Sequence, residues 1–218
     1  MKPLTCLTSI LVCLVFLWGS AAPATANSYV EEEIEDLIDL VEADGEIIAL
    51  VKGKKTRSIR LRSREEVLWR DSRGYLGAVL TNSRFCVISA LSNSWKTIAL
   101  RSDESEYAVA SLSQNIALLA TGYRALGFKS RSGRFIEARL PIDDELVLAE
   151  AEKKIAVVIT SSRALGLTLK SSSFIQTSLR LRESVEDVRV TSSKATVQTS
   201  DRLLSLGARS GVWSEHRF

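Results

Sequence analysis

The sequence contains few residues that could carry out chemistry on a substrate. Its one histidine, His216, lies two residues before the C-terminus, and a Ser-His-Asp or Cys-His site would have to use it. No histidines and cysteines have the spacing of a zinc site, and no Gly-x-x-x-x-Gly-Lys loop is present for phosphate. Cys86 lies between Phe85 and Val87, which predicts a small buried side chain and not a nucleophile. The sequence therefore predicts no catalytic residue, metal or cofactor, and it favours a protein that is not an enzyme.

Acidic residues form two groups that deserve separate consideration, because glycoside hydrolases work with paired carboxylates. These groups are Asp143-Asp144-Glu145 and Glu183 with Glu186-Asp187. Comparable acids recur along the chain, whereas a catalytic pair would occur once. The recurrence favours a structural role, and glycoside hydrolysis stays the alternative.

A Thr-x-x-Arg pattern places a cation at regular intervals. It occurs at Thr81/Arg84, Thr121/Arg124, Thr160/Arg163 and Thr199/Arg202, so that the threonines lie 40, 39 and 39 residues apart. Fourteen residues after each threonine stands an aromatic residue: Trp95, Phe135, Phe174 and Trp213. An acid stands fifteen residues before each of the first three threonines: Glu66, Glu106 and Glu145. Before the fourth threonine the acid, Glu186, is slightly displaced from this spacing. Three features in step through four copies indicate a repeat of about 39 residues.

A fifth, degraded copy precedes these four. Residues 40–61 align without a gap over residues 148–169, which puts Lys52 in the place of the threonine and Lys55 in the place of the arginine. Only 29 residues separate Lys52 from Thr81. We therefore expect this copy to lack one strand, interpreted as its outer strand.

Each full copy predicts four short strands. A strand of alternating pattern is followed by a nearly continuous apolar run, as in residues 116–121 and 155–160, which is typical of a strand buried on both faces. A short turn, a third strand, a Ser/Gly turn and an aromatic-led fourth strand complete the copy. This arrangement resembles the blades of β-propeller proteins in general, over residues 37–218. The resemblance implies an all-β fold of five blades with the first incomplete, and it implies no particular activity.

Burial of apolar surface gives a physical reason for the repeat. A single blade exposes both of its faces to water, whereas a neighbouring blade on each side covers them. Five copies favour a closed five-bladed ring in the monomer. The alternative is an open array that closes by oligomerising.

The recurring side chains have a structural and a binding interpretation. Lys55, Arg84, Arg124, Arg163 and Arg202 would lie on one face, as an anion-binding ring or as ion pairs with the recurring acids. The acids match the cations copy by copy, which favours the ion pairs, so that Arg124→Ala or Arg163→Ala should lower stability without altering ligand binding. The four blade aromatics would pack between blades or stack on sugars, and packing is favoured because two of them are phenylalanine.

The N-terminal segment predicts export. Lys2, an apolar run over residues 10–18 and the small residues Ala24-Thr25-Ala26 have the anatomy of a signal peptide over residues 1–26. Its removal leaves 192 residues, an acidic lead-in over residues 27–36, one cysteine and a formal net charge of about +2. This balance indicates no nucleic-acid partner and no stable membrane insertion, and we expect a periplasmic or extracellular protein. The function that the sequence favours is a binding or scaffold module for a protein, and the alternative is a lectin or small glycoside hydrolase.

Overall fold

The computed structural model describes residues 35–218, and the predicted signal peptide and most of the acidic lead-in lie outside this range. Within this range every element of regular secondary structure is a β-strand. The strands form five antiparallel sheets, here called blades 1 to 5. Blade 1 comprises β1 (Ile38–Ala43), β2 (Glu46–Val51) and β3 (Arg57–Arg60). Blade 2 comprises β4 (Val67–Arg73), β5 (Leu76–Thr81), β6 (Arg84–Ser89) and β7 (Ser94–Ala99). Blade 3 comprises β8 (Val109–Leu112), β9 (Ile116–Ala120), β10 (Arg124–Lys129) and β11 (Phe135–Arg139). Blade 4 comprises β12 (Leu146–Glu152), β13 (Ile155–Thr160), β14 (Arg163–Thr168) and β15 (Ile175–Ser178). Blade 5 comprises β16 (Val185–Val190), β17 (Lys194–Thr199), β18 (Arg202–Gly207) and β19 (Trp213–Arg217).

Within each blade the strands pair in chain order, each antiparallel to the one before. This confirms the predicted all-β propeller of five blades with an incomplete first blade. Blades 2, 4 and 5 also share a register shift near the start of the first strand, between Val67 and Trp69 in blade 2. Within the described residues, no helix has the length and hydropathy that crossing a membrane requires.

Apolar packing joins each blade to the next. Each junction has its own cluster of buried apolar side chains, most of which come from the second and third strands of the two blades. We call the face of a blade that meets the next blade its leading face, and the other its trailing face. On the leading faces of blades 3 and 4, Gly127 and Gly166 leave room for Leu167 and Leu206 of the following blade, whose Cδ2 atoms lie only 2.3 and 2.0 Å from where a Cβ would be. A side chain there would need the neighbouring leucine to move, so the close approach of blades requires glycine.

Within residues 35–218, the strand that blade 1 lacks is the first one, which corrects the expectation that the outer strand is absent. In blades 2 to 5 the residue before the second strand accepts a backbone hydrogen bond from the residue after the third, as Tyr75 does from Ala90 (2.8 Å). In blade 1 the same bond joins Lys52 N–H to Leu37 O (2.9 Å), on either side of β1 and β2. β1 and β2 therefore correspond to second and third strands, and β3 leads into the next blade as a fourth strand does.

The first and last blades leave one face exposed each, so the described array is open and the closed ring is not formed. On the trailing face of blade 1, Val41 and Leu50 are 44% and 46% exposed. On the leading face of blade 5, Lys194, Thr196 and Gln198 replace the buried Ile155, Val157 and Ile159 of blade 4. No apolar cluster of the described residues joins blade 5 to blade 1. Terminal repeats with a polar outer face are how linear arrays end in water, and blade 5 has such a face.

Candidate functional site

The recurring Thr-x-x-Arg residues form a buried polar cluster with an acid from the link before each blade, and we call this cluster a clamp. In blade 5, Arg202 Nε donates to Glu183 Oε1 (2.9 Å) and Arg202 Nη2 donates to Glu183 Oε2 (3.0 Å). The hydroxyl of Thr199 donates to the same Oε1 (2.6 Å). The Arg202 side chain is 6% exposed and that of Glu183 is fully buried. A two-pronged arginine–carboxylate pair of this kind is among the strongest hydrogen-bonded arrangements in proteins.

Each complete clamp also fastens its blade to the preceding one. Arg202 Nη2 donates to the carbonyl of Ser178, the last residue of β15 in blade 4 (2.8 Å). Arg84 in blade 2 and Arg124 in blade 3 bond in the same way to Arg60 O (2.6 Å) and Ala99 O (2.7 Å). The clamp is therefore a junction device, and a blade without a predecessor has no use for one.

A short sequence motif in the link holds the acid of the clamp. Glu183 N–H donates to Arg180 O (3.0 Å), and the Glu183 carboxylate accepts from Arg180 N–H (2.6 Å), which closes a tight turn. The links into blades 2 and 3 repeat this geometry with the sequence Leu-Arg-x-x-Glu: Leu61 to Glu65 and Leu100 to Glu104. The turn places each glutamate 16 or 17 residues before the clamp threonine.

Electrostatics keeps the clamp carboxylates charged. Burial by itself raises the pKa of Glu65, but hydrogen bonds from Arg84, Thr81 and the Arg62 N–H outweigh it and lower the pKa to about 2. The corresponding bonds outweigh burial at Glu183 and lower its pKa to about 2 as well. The same causes lower the pKa of Glu104. These acids are therefore ionised partners of arginine and not proton donors.

The clamp of blade 4 is incomplete. Its link reads Leu140-Pro141-Ile142-Asp143-Asp144, so that the acid is one carbon shorter and proline supplies no N–H. Arg163 Nε lies 3.2 Å from Asp144 Oδ2, but that buried oxygen accepts no hydrogen bond from any described residue. The Arg163 side chain is 27% exposed, and its Nε donates a long hydrogen bond to Ser162 Oγ (3.5 Å).

Blade 1 carries no clamp. The register of β1 and β2 puts Ala43 and Glu46 where the other blades have threonine and arginine. Lys55 instead lies at the opposite end of blade 1, where its carbonyl accepts from Asn93 Nδ2 (3.3 Å). Four of the five cations predicted to form one ring therefore lie at the link end, and Lys55 does not.

The acids predicted to pair with the arginines do not pair with them, and nearby acids in the same links do. Glu66, Glu106, Glu145 and Glu186 are exposed, and the clamps use Glu65, Glu104, Asp144 and Glu183. The recurring Leu-Arg-x-x-Glu is the sequence signal for three of them, Glu65, Glu104 and Glu183, and Asp144 lacks it.

The blade aromatics pack at the junctions. Phe135 contacts Phe85 and Phe128, with ring centroids 5.9 and 5.2 Å apart. Trp213 Nε1 donates to Ile175 O of the preceding blade (3.0 Å), and Trp95 and Phe174 contribute to other junction clusters. All four side chains are half-buried.

The remaining candidates for chemistry are dispersed. Cys86 is buried, burial raises the pKa of its thiol, and Thr97 donates to its sulfur, so it is the small core residue that the sequence predicts. His216 is exposed on β19. Within residues 35–218, no group of three or more histidine, cysteine or acidic residues could hold a metal ion.

The comparisons with known proteins come from solved structures. No protein-family model and no curated protein matches the chain. Structural similarity is found to β-propeller proteins, among them Hsv2 of Kluyveromyces lactis (10% identity, TM-score 0.41) and Prp20p of Saccharomyces cerevisiae (7% identity, TM-score 0.42). The matches cover 83% and 80% of this chain, and 59% and 56% of those chains. The chain thus spans less than two thirds of the proteins it matches, and its own strand order and packing carry the fold assignment.

Proposed function

We propose that the chain is an exported, non-enzymatic β-propeller array that binds a protein partner through the trailing face of blade 1. The observation that carries this proposal is the unequal treatment of the two ends. Blade 5 ends the array with polar side chains, whereas blade 1 leaves Val41 and Leu50 almost half exposed beside the half-buried Ile48. An exposed apolar face rimmed by charges is typical of a protein-binding surface.

The arginines and aromatics have structural roles in this proposal. The guanidinium groups of the complete clamps are engaged by glutamate and by the preceding blade. The indole N–H of Trp213 is engaged by a backbone carbonyl, which leaves it no donor for a sugar hydroxyl. These contacts support protein binding over the lectin interpretation.

Export rests on the predicted signal peptide. We propose cleavage after Ala26, which gives a mature chain that begins at Asn27 and is released into the periplasm or outside the cell. The intact mass of exported material should equal that of residues 27–218. A mass that includes residues 1–26 contradicts this part of the proposal.

Site-specific photocrosslinking tests the binding face. A benzophenone amino acid replaces Leu50 on the trailing face of blade 1, and in a matched control it replaces Thr196 on the leading face of blade 5. We expect one defined crosslinked protein from position 50 in the cell envelope, its loss in an Ile48→Lys background, and no such product from position 196. Equal products from both positions, or none from position 50, contradict the proposed face.

A further inference from the structure

Among the described residues, none occupies the position of the first strand of blade 1, which leaves an open sheet edge there. Within the part of the chain that the structure describes, β1 pairs with β2 alone, and it is one of the two edge strands of blade 1. Lys52 N–H bonds to Leu37 O, so antiparallel alternation directs the backbone groups of Asp39 and Val41 towards β2. The N–H and C=O groups of Ile38, Leu40 and Glu42 then point to the empty side, where no described residue bonds to them. Such a row of unpaired groups is a template for an added strand.

The side chains along this edge define what an added strand would carry. β1 contains two acids, Asp39 and Glu42, and no basic residue. Asp39 and Val41 lie on the trailing face, and Leu40 and Glu42 lie on the leading face, where Glu42 accepts from Arg70 (3.2 Å). Opposite charges facing each other across two strands stabilise a sheet, and like charges destabilise it.

Leu50 adds an apolar anchor next to this edge. It is the blade 1 member of a series of third-strand residues that press on the preceding blade: Ile88, Phe128, Leu167 and Leu206, all fully buried. Leu50 has no preceding blade and stays exposed. A groove of about 330 Å³ lies beside it, lined in part by Asp36, Asp39 and Lys52.

Two segments of this chain could in principle cover the edge of β1 or Leu50, and neither complements these residues in charge and polarity. The leading face of a second copy's blade 5 would bring Lys194, Thr196 and Gln198 against apolar Leu50 and Val41. The chain's own residues 29–36 carry five carboxylates. In the strand register of blade 2, shifted by 38 residues, Glu31 would stand directly opposite Glu42.

We propose that a partner protein supplies the absent first strand of blade 1, as an extended segment that runs antiparallel to β1. This inference rests on the proposed function and deepens it by naming how the partner binds. Read from the residue opposite Glu42 to the one opposite Ile38, the segment is basic, aliphatic, aliphatic, basic and aliphatic. Its backbone bonds to Ile38, Leu40 and Glu42, and its second basic residue faces Asp39.

Synthetic peptides test this inference on the mature chain, residues 27–218. The probe is a fluorescein-labelled, end-blocked peptide with the sequence Thr-Lys-Val-Val-Lys-Val-Thr. One control has glutamate in place of both lysines, and another is N-methylated at the positions that would bond to β1. Fluorescence anisotropy should show binding of the lysine peptide at least about tenfold tighter than the glutamate peptide, and no binding of the N-methylated one.

Charge reversal in the protein makes the test specific. Asp39→Lys should remove most of the preference for the lysine peptide over the glutamate peptide, because Glu42 alone still favours lysine. The matched surface variant Glu106→Lys should leave the preference unchanged. Equal affinity for the N-methylated and parent peptides overturns strand addition, as does an unaltered preference in Asp39→Lys. Binding that appears only after Ile34→Pro also overturns it, because the chain's own segment would then hold the position. If every peptide fails while position 50 still crosslinks to a partner, strand addition is wrong and the proposed function stands.

Discussion

The junctions before blade 4 and before blade 5 join similar blades by different polar contacts. Before blade 5, Arg202 and Glu183 form a complete clamp at the link end. Before blade 4, Arg163 and Asp144 form an incomplete one, and the opposite end of that junction carries the bonds instead. There the buried Lys129 of blade 3 donates to the carbonyls of Leu169 (3.1 Å) and Ser171 in blade 4.

The two junctions indicate that the apolar core sets the spacing of the blades and that the polar contacts between blades can be exchanged for one another. Both junctions have a leucine over a glycine and a full apolar cluster. Burial lowers the pKa of Lys129, and the charge of Arg134 lowers it further. A junction can therefore lose its clamp where another buried cation bridges the blades.

The largest predicted effect separates the two clamps. Arg202→Ala leaves Glu183 buried without its partner and should lower the free energy of unfolding by about 3–5 kcal/mol. Arg163→Ala removes a side chain that is 27% exposed, makes one long hydrogen bond and lies 3.2 Å from Asp144 without a hydrogen bond to it, so it should cost less, about 1–2 kcal/mol. Urea denaturation at pH 7 measures both. Equal losses in the two variants would remove the distinction between the clamps.

Acid should weaken the complete clamps next. The folded-state pKa values of Glu65 and Glu183 lie near 2, below the usual 4.5, so their contribution is fully present above pH 4.5 and is lost as the pH falls towards 2. Each shift corresponds to a loss on the order of 3 kcal/mol. Unfolding free energies measured between pH 5 and pH 2 should fall steeply in the wild type and less steeply in Glu183→Gln. An identical slope in the two proteins is the contrary result.

Lys129 should matter at the junction that lacks a complete clamp. Lys129→Met keeps the aliphatic stem but removes the donor to blade 4, and it should cost about 1.5–3 kcal/mol. Lys96→Met, on an exposed position of β7, is the matched control and should be nearly neutral. Chemical denaturation compares them, and a neutral Lys129→Met would show that the bridge contributes nothing.

The smallest predicted effect is a repair. Asp144→Glu combined with Pro141→Arg restores Leu-Arg-x-x-Glu in the link before blade 4 and should raise the free energy of unfolding by about 1 kcal/mol. Asp144→Glu alone should give less, because Pro141 still supplies no N–H. A rise in the melting temperature of the double variant checks this, and a fall would mean that this junction has no room for the longer acid.

The repeat and the fold could be predicted from the sequence because every inner blade solves the same burial problem. Residues 116–120 and 155–160 lie between two neighbouring blades and are apolar on both faces. The aromatic positions and the period follow from that repetition.

The clamp acids could not be predicted by spacing alone. The link into blade 3 is one residue longer than the others, and an exposed acid follows each clamp acid within three residues. A count from the threonine therefore found Glu66 and its equivalents. In the structure, the Glu65 carboxylate accepts a hydrogen bond from Arg62 N–H within the same turn. This bond holds Glu65 in the clamp, and spacing along the sequence does not reveal it.

The first blade was misaligned for a related reason. Leu40 matches Leu148 in type, but the hydrogen bond from Lys52 N–H to Leu37 O shows that β1 and β2 pair as a second and a third strand do. The open ends had a signal that was missed: Lys194, Thr196 and Gln198 alternate with apolar residues because one face of β17 has no neighbour.

Thiol labelling distinguishes an open array of blades from a closed ring. Leu50→Cys and Thr196→Cys are made in the mature chain, where the buried Cys86 serves as the internal control. If the array is open, each new thiol reacts with a maleimide within about tenfold of the rate in a short unstructured peptide, and Cys86 reacts only after unfolding. If blade 5 packs against blade 1 in a closed ring, both new thiols are protected as strongly as Cys86, and the account is contradicted.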